Sequence, residues 1–258
     1  MRPSIDVSLV EVATALGLVA IAAAVSLWRR AEIERDIGLA VVRSFLQLTA
    51  MGYVIQALFD SDSMLLVVGL LVAMVLFGAF TARGRAKAVP GAFTPLLVAL
   101  GTAAAVTLGL VLALGIFDPE VRYLVPVGGM VIGNSMTAAA VALNRLADEV
   151  HSEARRLEAT LALGATSAQA AAPLVRRSLR SAMIPLADQT KTTGMVFFPG
   201  VMVGMLLGGA DPVDAVRLQL ILLWTLLGAV ALSSLIATSL ASRRFFTPAH
   251  QLREPPEP

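Results

Sequence analysis

The sequence contains no cysteine, which excludes a disulfide framework and any thiolate nucleophile or ligand. Charge is scarce as well. Only 15% of the 258 residues are Asp, Glu, Lys or Arg, against about a quarter in a soluble globular domain. Histidine occurs only at His151 and His250, and lysine only at Lys87 and Lys191. Neither lysine follows a glycine-rich turn, so no G-x-x-x-x-G-K-S/T phosphate loop exists and the chain has no ATP site of that kind. The H-E-x-x-H and G-x-S-x-G patterns are missing too. Ser135 lies in an apolar run, but no histidine lies in any run to activate it. These absences point away from an enzyme.

What fills the chain is apolar: 57% of residues are hydrophobic and the mean hydropathy is +0.79. In a bilayer core only helices and closed barrels satisfy their own backbone groups. A barrel would show short alternating segments. Here the apolar stretches are continuous and near the ~20 residues of one helical crossing. Seven runs stand out, at 7–28, 37–59, 64–81, 92–117, 123–143, 192–207 and 216–241. The fold class expected is therefore an all-α polytopic membrane protein of about seven transmembrane helices, with one permease domain over 1–246.

Charge sets the expected orientation. Most of the 20 basic residues fall in alternate connections: Arg29, Arg30 and Arg35, then Arg83, Arg85 and Lys87, then the long stretch 144–191, then Arg243, Arg244 and Arg253. The intervening connections, 59–63, 117–120 and 209–212, hold Asp and Glu but no Lys or Arg. The positive-inside rule then places the N-terminus outside and the C-terminus in the cytoplasm, in the cell inner membrane. Arg2 and Ala22-Ala23-Ala24 superficially fit a signal peptide, but Arg29-Arg30 directly after the run favours a retained first span.

The stretch 144–191 is unlike lipid-facing sequence. An amphipathic helix should run to Leu163 and end at Gly164 as its C-cap. Thr166 with Gln169 resembles a capping box that starts a second helix. Two cytoplasmic helices, or extensions of spans five and six, are expected over about 145–185. The proline-rich tail 247–258 is expected to be disordered.

Polar groups inside the runs are functional suspects. Arg43 and Gln47 lie four apart on one face of span two. Two readings of Arg43 stand: it snorkels to the headgroups, or it faces a pathway with Gln47. Asn134, among Gly128, Gly129 and Gly133 in span five, is either interhelical glue or a pathway residue. Pro199-Gly200 interrupts span six, either as a packing kink or as a break lining a substrate path. Met202 lies beside it. The translocation candidates are therefore Arg43, Gln47, Asn134, Pro199, Gly200 and Met202.

Several of these motifs, in order, resemble the iron-export ABC-transporter permease family of the FetB type. They are Arg43-x-x-x-Gln47-Leu48, Gly129-Met130, Gly133-Asn134-Ser135-Met136, Glu158-Ala159-x-Leu161-Ala162-Leu163-Gly164, Asp188, Lys191 and Pro199-Gly200-Val201-Met202. Glu158-Ala159 with Gly164 also looks like the docking loop of ABC importers, although Pro185 lies too far downstream for the importer pattern. The resemblance implies a transport subunit without its own ATPase site: a separate ABC ATP-binding subunit uses the ATP, and the permeases pair as a homodimer. It implies docking through Glu158, Ala159, Gly164, Arg176 and Arg177, and export of iron or a related metal or metal chelate. No metal ligand set is identified, since hard cations want carboxylates and the runs offer only Glu11. A secondary transporter or channel without an ATPase is the alternative. The expected partners are thus the ATP-binding subunit, a second permease and the lipid bilayer, with no nucleic acid.

Overall fold

The computed structural model describes residues 9–29, 33–61 and 63–253. Expectations that touch Arg2, Val7, Arg30, Asp62 or residues 254–258 lie outside these. The described residues are helical almost throughout: α1 Leu9–Arg29, α2 Glu34–Ser61, α3 Met64–Arg85, α4 Phe93–Ala113, α5 Val121–Ser152, α6 Ala154–Ala162, α7 Ser167–Thr192, α8 Gly200–Leu207 and α9 Pro212–Ser242. A 3-10 turn, Arg243–Phe245, follows α9.

Helices α3, α4, α5, α7 and α9 form the packed body, with α5 at its centre. Leu96 and Leu100 of α4, Leu143 and Leu146 of α5 and Leu174 of α7 are fully buried in one continuous core. The glycines of α5 act where close packing needs them. A Cβ on Gly128 would sit 2.3 Å from Leu71 Cδ2 of α3, so that helix pair approaches over a bare backbone. Gly128→Val should overpack this contact at about 1–3 kcal/mol, seen as a lowered melting temperature. Gly133→Val, with nothing within 4 Å of its Cβ, should leave it nearly unchanged.

The pair α1–α2 stands apart from the body. Ser26 Oγ donates to Glu34 Oε2 at 2.7 Å and accepts from the Ile33 amide at 3.2 Å, tying the two helices at their turn. Only Leu58 of α2 is buried, in a small cluster with Val67 of α3 and Val121, Leu124 and Val125 of α5.

Among the described residues, six helices are long and apolar enough to cross a membrane: α1, α2, α3, α4, α5 and α9. The seventh run expected over 192–207 is not one helix. Helix α7 continues through the polar stretch to Thr192 and stops. Gly194 turns the chain at φ 89°, and its amide donates to Phe197 O at 2.9 Å. Pro199 then caps α8 in extended conformation, because proline has no amide to donate and disfavours helix in the residue before it. At eight residues, α8 is roughly 12 Å long and cannot cross alone. The break is thus a tight turn over 193–199, not a kink within a continuous span.

Candidate functional site

Beyond the last apolar turn of α5 the chain builds a helical hairpin. Helix α5 runs on to Ser152, and Glu153 links it to α6. Gly164 at φ 89° reverses the chain. Thr166 then starts α7 with the expected capping box: its Oγ1 accepts from the Gln169 amide at 3.3 Å, and its own amide donates to Gln169 Oε1 at 2.9 Å. Leu157 of α6 is buried, whereas Glu158, Ala159, Ala162 and Gly164 are exposed. Leu163, which sequence reasoning gave no separate role, is 89% exposed at the tip.

The two arginines read as docking residues part company. Arg176 is exposed. Arg177 turns inward: its Nε donates to Glu149 Oε2 at 2.6 Å and its terminal nitrogen to Glu153 Oε1. Glu149, only 6% exposed, also takes Arg145 of its own helix at 2.7 Å. The hydrogen bond to Glu149 and the two carboxylates hold the Arg177 guanidinium above its ordinary pKa, so it stays charged. This clamp locks the extension of α5 to α7 and braces the hairpin.

The translocation candidates lie on three helices. Arg43 and Gln47 of α2 are exposed. Asn134 of α5 is exposed too, with its Nδ2 donating to Met130 O at 2.8 Å, and Thr137 one turn on bonds to Gly133 O. At its far end α7 carries a polar cluster: Asp188, Gln189 and Lys191, which the sequence places in the polar stretch 144–191, and Thr192, the first residue of the expected run 192–207, all exposed. Lys191 Nζ donates to Asp188 Oδ1 at 3.1 Å. Pro199 and Gly200 start α8, and Met202 is buried.

Packing registers these groups at one depth. Leu58 meets Leu124. Gln47 lies roughly 16 Å along α2 from Leu58, and Asn134 roughly 15 Å along the antiparallel α5 from Leu124, at 1.5 Å per residue. Ala138 shares a cluster with Leu186 of α7, and Asn134 and Thr190 each lie one turn beyond that contact in the same direction. Gln47, Asn134 and the Asp188–Lys191 pair therefore sit level. Among the described residues no hydrogen bond joins the three helices there, and Asn134 and Lys191 bond within their own helices. No group of three or more His, Cys, Asp or Glu side chains that could hold a metal ion occurs among the described residues.

Residues 9–246 match the model of the Uncharacterised protein family (UPF0014). The chain belongs to the UPF0014 family. It is 38% identical over 248 residues to the UPF0014 membrane protein STAR2 of Oryza sativa subsp. japonica, covering 96% of this chain and 87% of that one. It is 36% identical over 247 residues to the protein ALUMINUM SENSITIVE 3 of Arabidopsis thaliana, covering 95% and 90%. It is 35% identical over 242 residues to the probable iron export permease protein FetB of Escherichia coli (strain K12), covering 94% and 93%. No solved structure matches the chain. With its six apolar helices, this UPF0014 member is a multi-pass membrane protein.

Proposed function

We propose that this chain is the permease half of an ATP-driven exporter: two copies pair, and each α6–α7 hairpin docks on a separate ATP-binding subunit. The observation that carries the reading is the hairpin itself. It offers Glu158, Leu163 and Gly164 to a partner and is braced from behind by the Arg177–Glu149 clamp. A push on the tip would pass through that clamp to α5 and α7, the two helices that hold Asn134 and Asp188. The similarity to a protein named a probable iron export permease supports export of iron or a related metal or chelate.

The orientation belongs to the same reading, with the N-terminus outside and the C-terminus and hairpin in the cytoplasm. Seven crossings are still needed, and the seventh is composite: the far half of α7, the turn at 193–199, and α8. The two arginines on the outer side support this placement, because each is neutralised locally, Arg122 by Glu120 at 2.9 Å and Arg217 by Asp214 at 3.2 Å. A composite crossing brings Asp188, Gln189 and Lys191 to mid-membrane depth, where irregular backbone and ionised groups survive only against protein or a water-filled path. Single cysteines at Ser61 and Asp118 should react with an impermeant thiol reagent added outside, and cysteines at Ala88 and Ser152 only after permeabilisation. Labelling of Ser152→Cys in intact cells would reverse the orientation.

Arg43 near the path favours an anionic or chelated metal over a bare cation, which it would repel. The test is competition: a metal chelate of net negative charge should stimulate ATP hydrolysis by the complex more than the same metal as an aquo cation.

A further inference from the structure

A second site lies away from the path, where α9 leaves the body. After the 3-10 turn the chain folds back: Phe246 pairs with Leu252, Arg253 Nε donates to Phe246 O at 3.1 Å, and the His250 ring nitrogen Nδ1 lies 3.3 Å from the Ser167 amide and 3.0 Å from its hydroxyl. Residues 247–253, the first part of the tail read as disordered, thus form one wall of a groove of about 820 Å³ between the starts of α7 and the end of α9. Its floor is small and apolar, including Ala171 and Val175. Its rim is basic, with Arg176, Arg243 and Arg253, and no acidic side chain among the described residues lines it. No ion pair engages Arg176, Arg243 or Arg253 among the described residues. The groove also has a definite depth. Ser242 lies roughly 45 Å along α9 from Pro212, and a bilayer with its headgroups is about 40–45 Å thick. The outer end of α9 in one headgroup layer therefore puts the arginines in the other.

We propose that this groove binds the phosphate of an acidic phospholipid, with Arg243 and Arg253 on the phosphate and the lipid's glycerol and first acyl carbons over the alanine floor. Phosphate chemistry alone could also come from soluble phosphate. The apolar floor and the headgroup depth select the lipid. The proposal uses the membrane placement of α9 and is independent of what the protein transports.

The test is retention of phosphatidylglycerol against phosphatidylcholine by the purified full chain in neutral detergent, read by native mass spectrometry. The chain should retain phosphatidylglycerol selectively. R243Q/R253Q should weaken that retention about 25-fold, at about fivefold per arginine near an anionic surface. R243K/R253K should hold it within about twofold, and R83Q/K87Q, in the last turn of α3 and just after it, should not change it. An unchanged melting temperature of R243Q/R253Q in phosphatidylcholine nanodiscs shows that the loss is not unfolding. Equal retention of the two lipids overturns the site, as does full retention by R243Q/R253Q. Thermal stabilisation by inorganic phosphate equal to that by phosphatidylglycerol assigns the groove to soluble phosphate and overturns the lipid reading. Loss of bound phosphatidylglycerol on adding the ATP-binding subunit makes the groove part of the dock and overturns it too.

Discussion

Glu158→Lys combined with Leu163→Glu should abolish recovery of the ATP-binding subunit with this chain, a loss of at least 100-fold in affinity. Leu163 is 89% exposed and Glu158 lies just over one turn before it on the same hairpin. An apolar anchor seated in a partner pocket typically costs about 2 kcal/mol or more when lost. Truncating one partner of a buried charged pair costs about 2–5 kcal/mol. Even the lower ends together approach three orders of magnitude at ~1.4 kcal/mol per tenfold. Folding should be untouched, because neither side chain packs inward: Leu157 and the Arg177 clamp hold the hairpin. An unchanged pull-down, with both proteins well expressed, would remove the dock from this surface.

Gln47→Leu and Asn134→Leu should each eliminate substrate-stimulated ATP hydrolysis while leaving expression, partner binding and melting temperature as they are. The two groups lie level on α2 and α5, and neither is buried. Among the described residues the Asn134 side chain hydrogen-bonds only to its own helix, at Met130 O. Their removal therefore empties no core and orphans no buried partner. Asp188→Asn should have the same effect, because Asp188 is the carboxylate at that depth and its ion pair with Lys191 is exposed on both sides, at 61% and 75%. If these groups serve packing instead, the melting temperature falls and the stimulation survives.

The sequence revealed what depends on local composition. Hydropathy marked the apolar helices, and Thr166 with Gln169 marked the start of α7, since a capping box is decided within four residues. It misjudged the region around 192–207. The far half of α7 carries Asp188, Gln189 and Lys191, so its hydropathy reads as cytoplasmic, while its burial through Leu186 against Ala138 and Val230 is a tertiary fact. Arg177 was hidden for a related reason. Its partner Glu149 is 28 residues away, and nothing in a run of arginines says which one turns inward. The glycines around Asn134 stand together in the sequence, but only the position of Leu71 shows why it is Gly128, and not Gly133, that meets a neighbour.

The measurement closest to the central claim is iron flux in proteoliposomes holding this chain with and without its ATP-binding subunit, supplied as the aquo cation and as the citrate chelate. The account predicts flux only with both proteins and ATP, faster for the chelate, and lost with Glu158→Lys/Leu163→Glu. Flux by the chain alone, driven by an ion or proton gradient and indifferent to ATP, would contradict it and make the protein a secondary transporter.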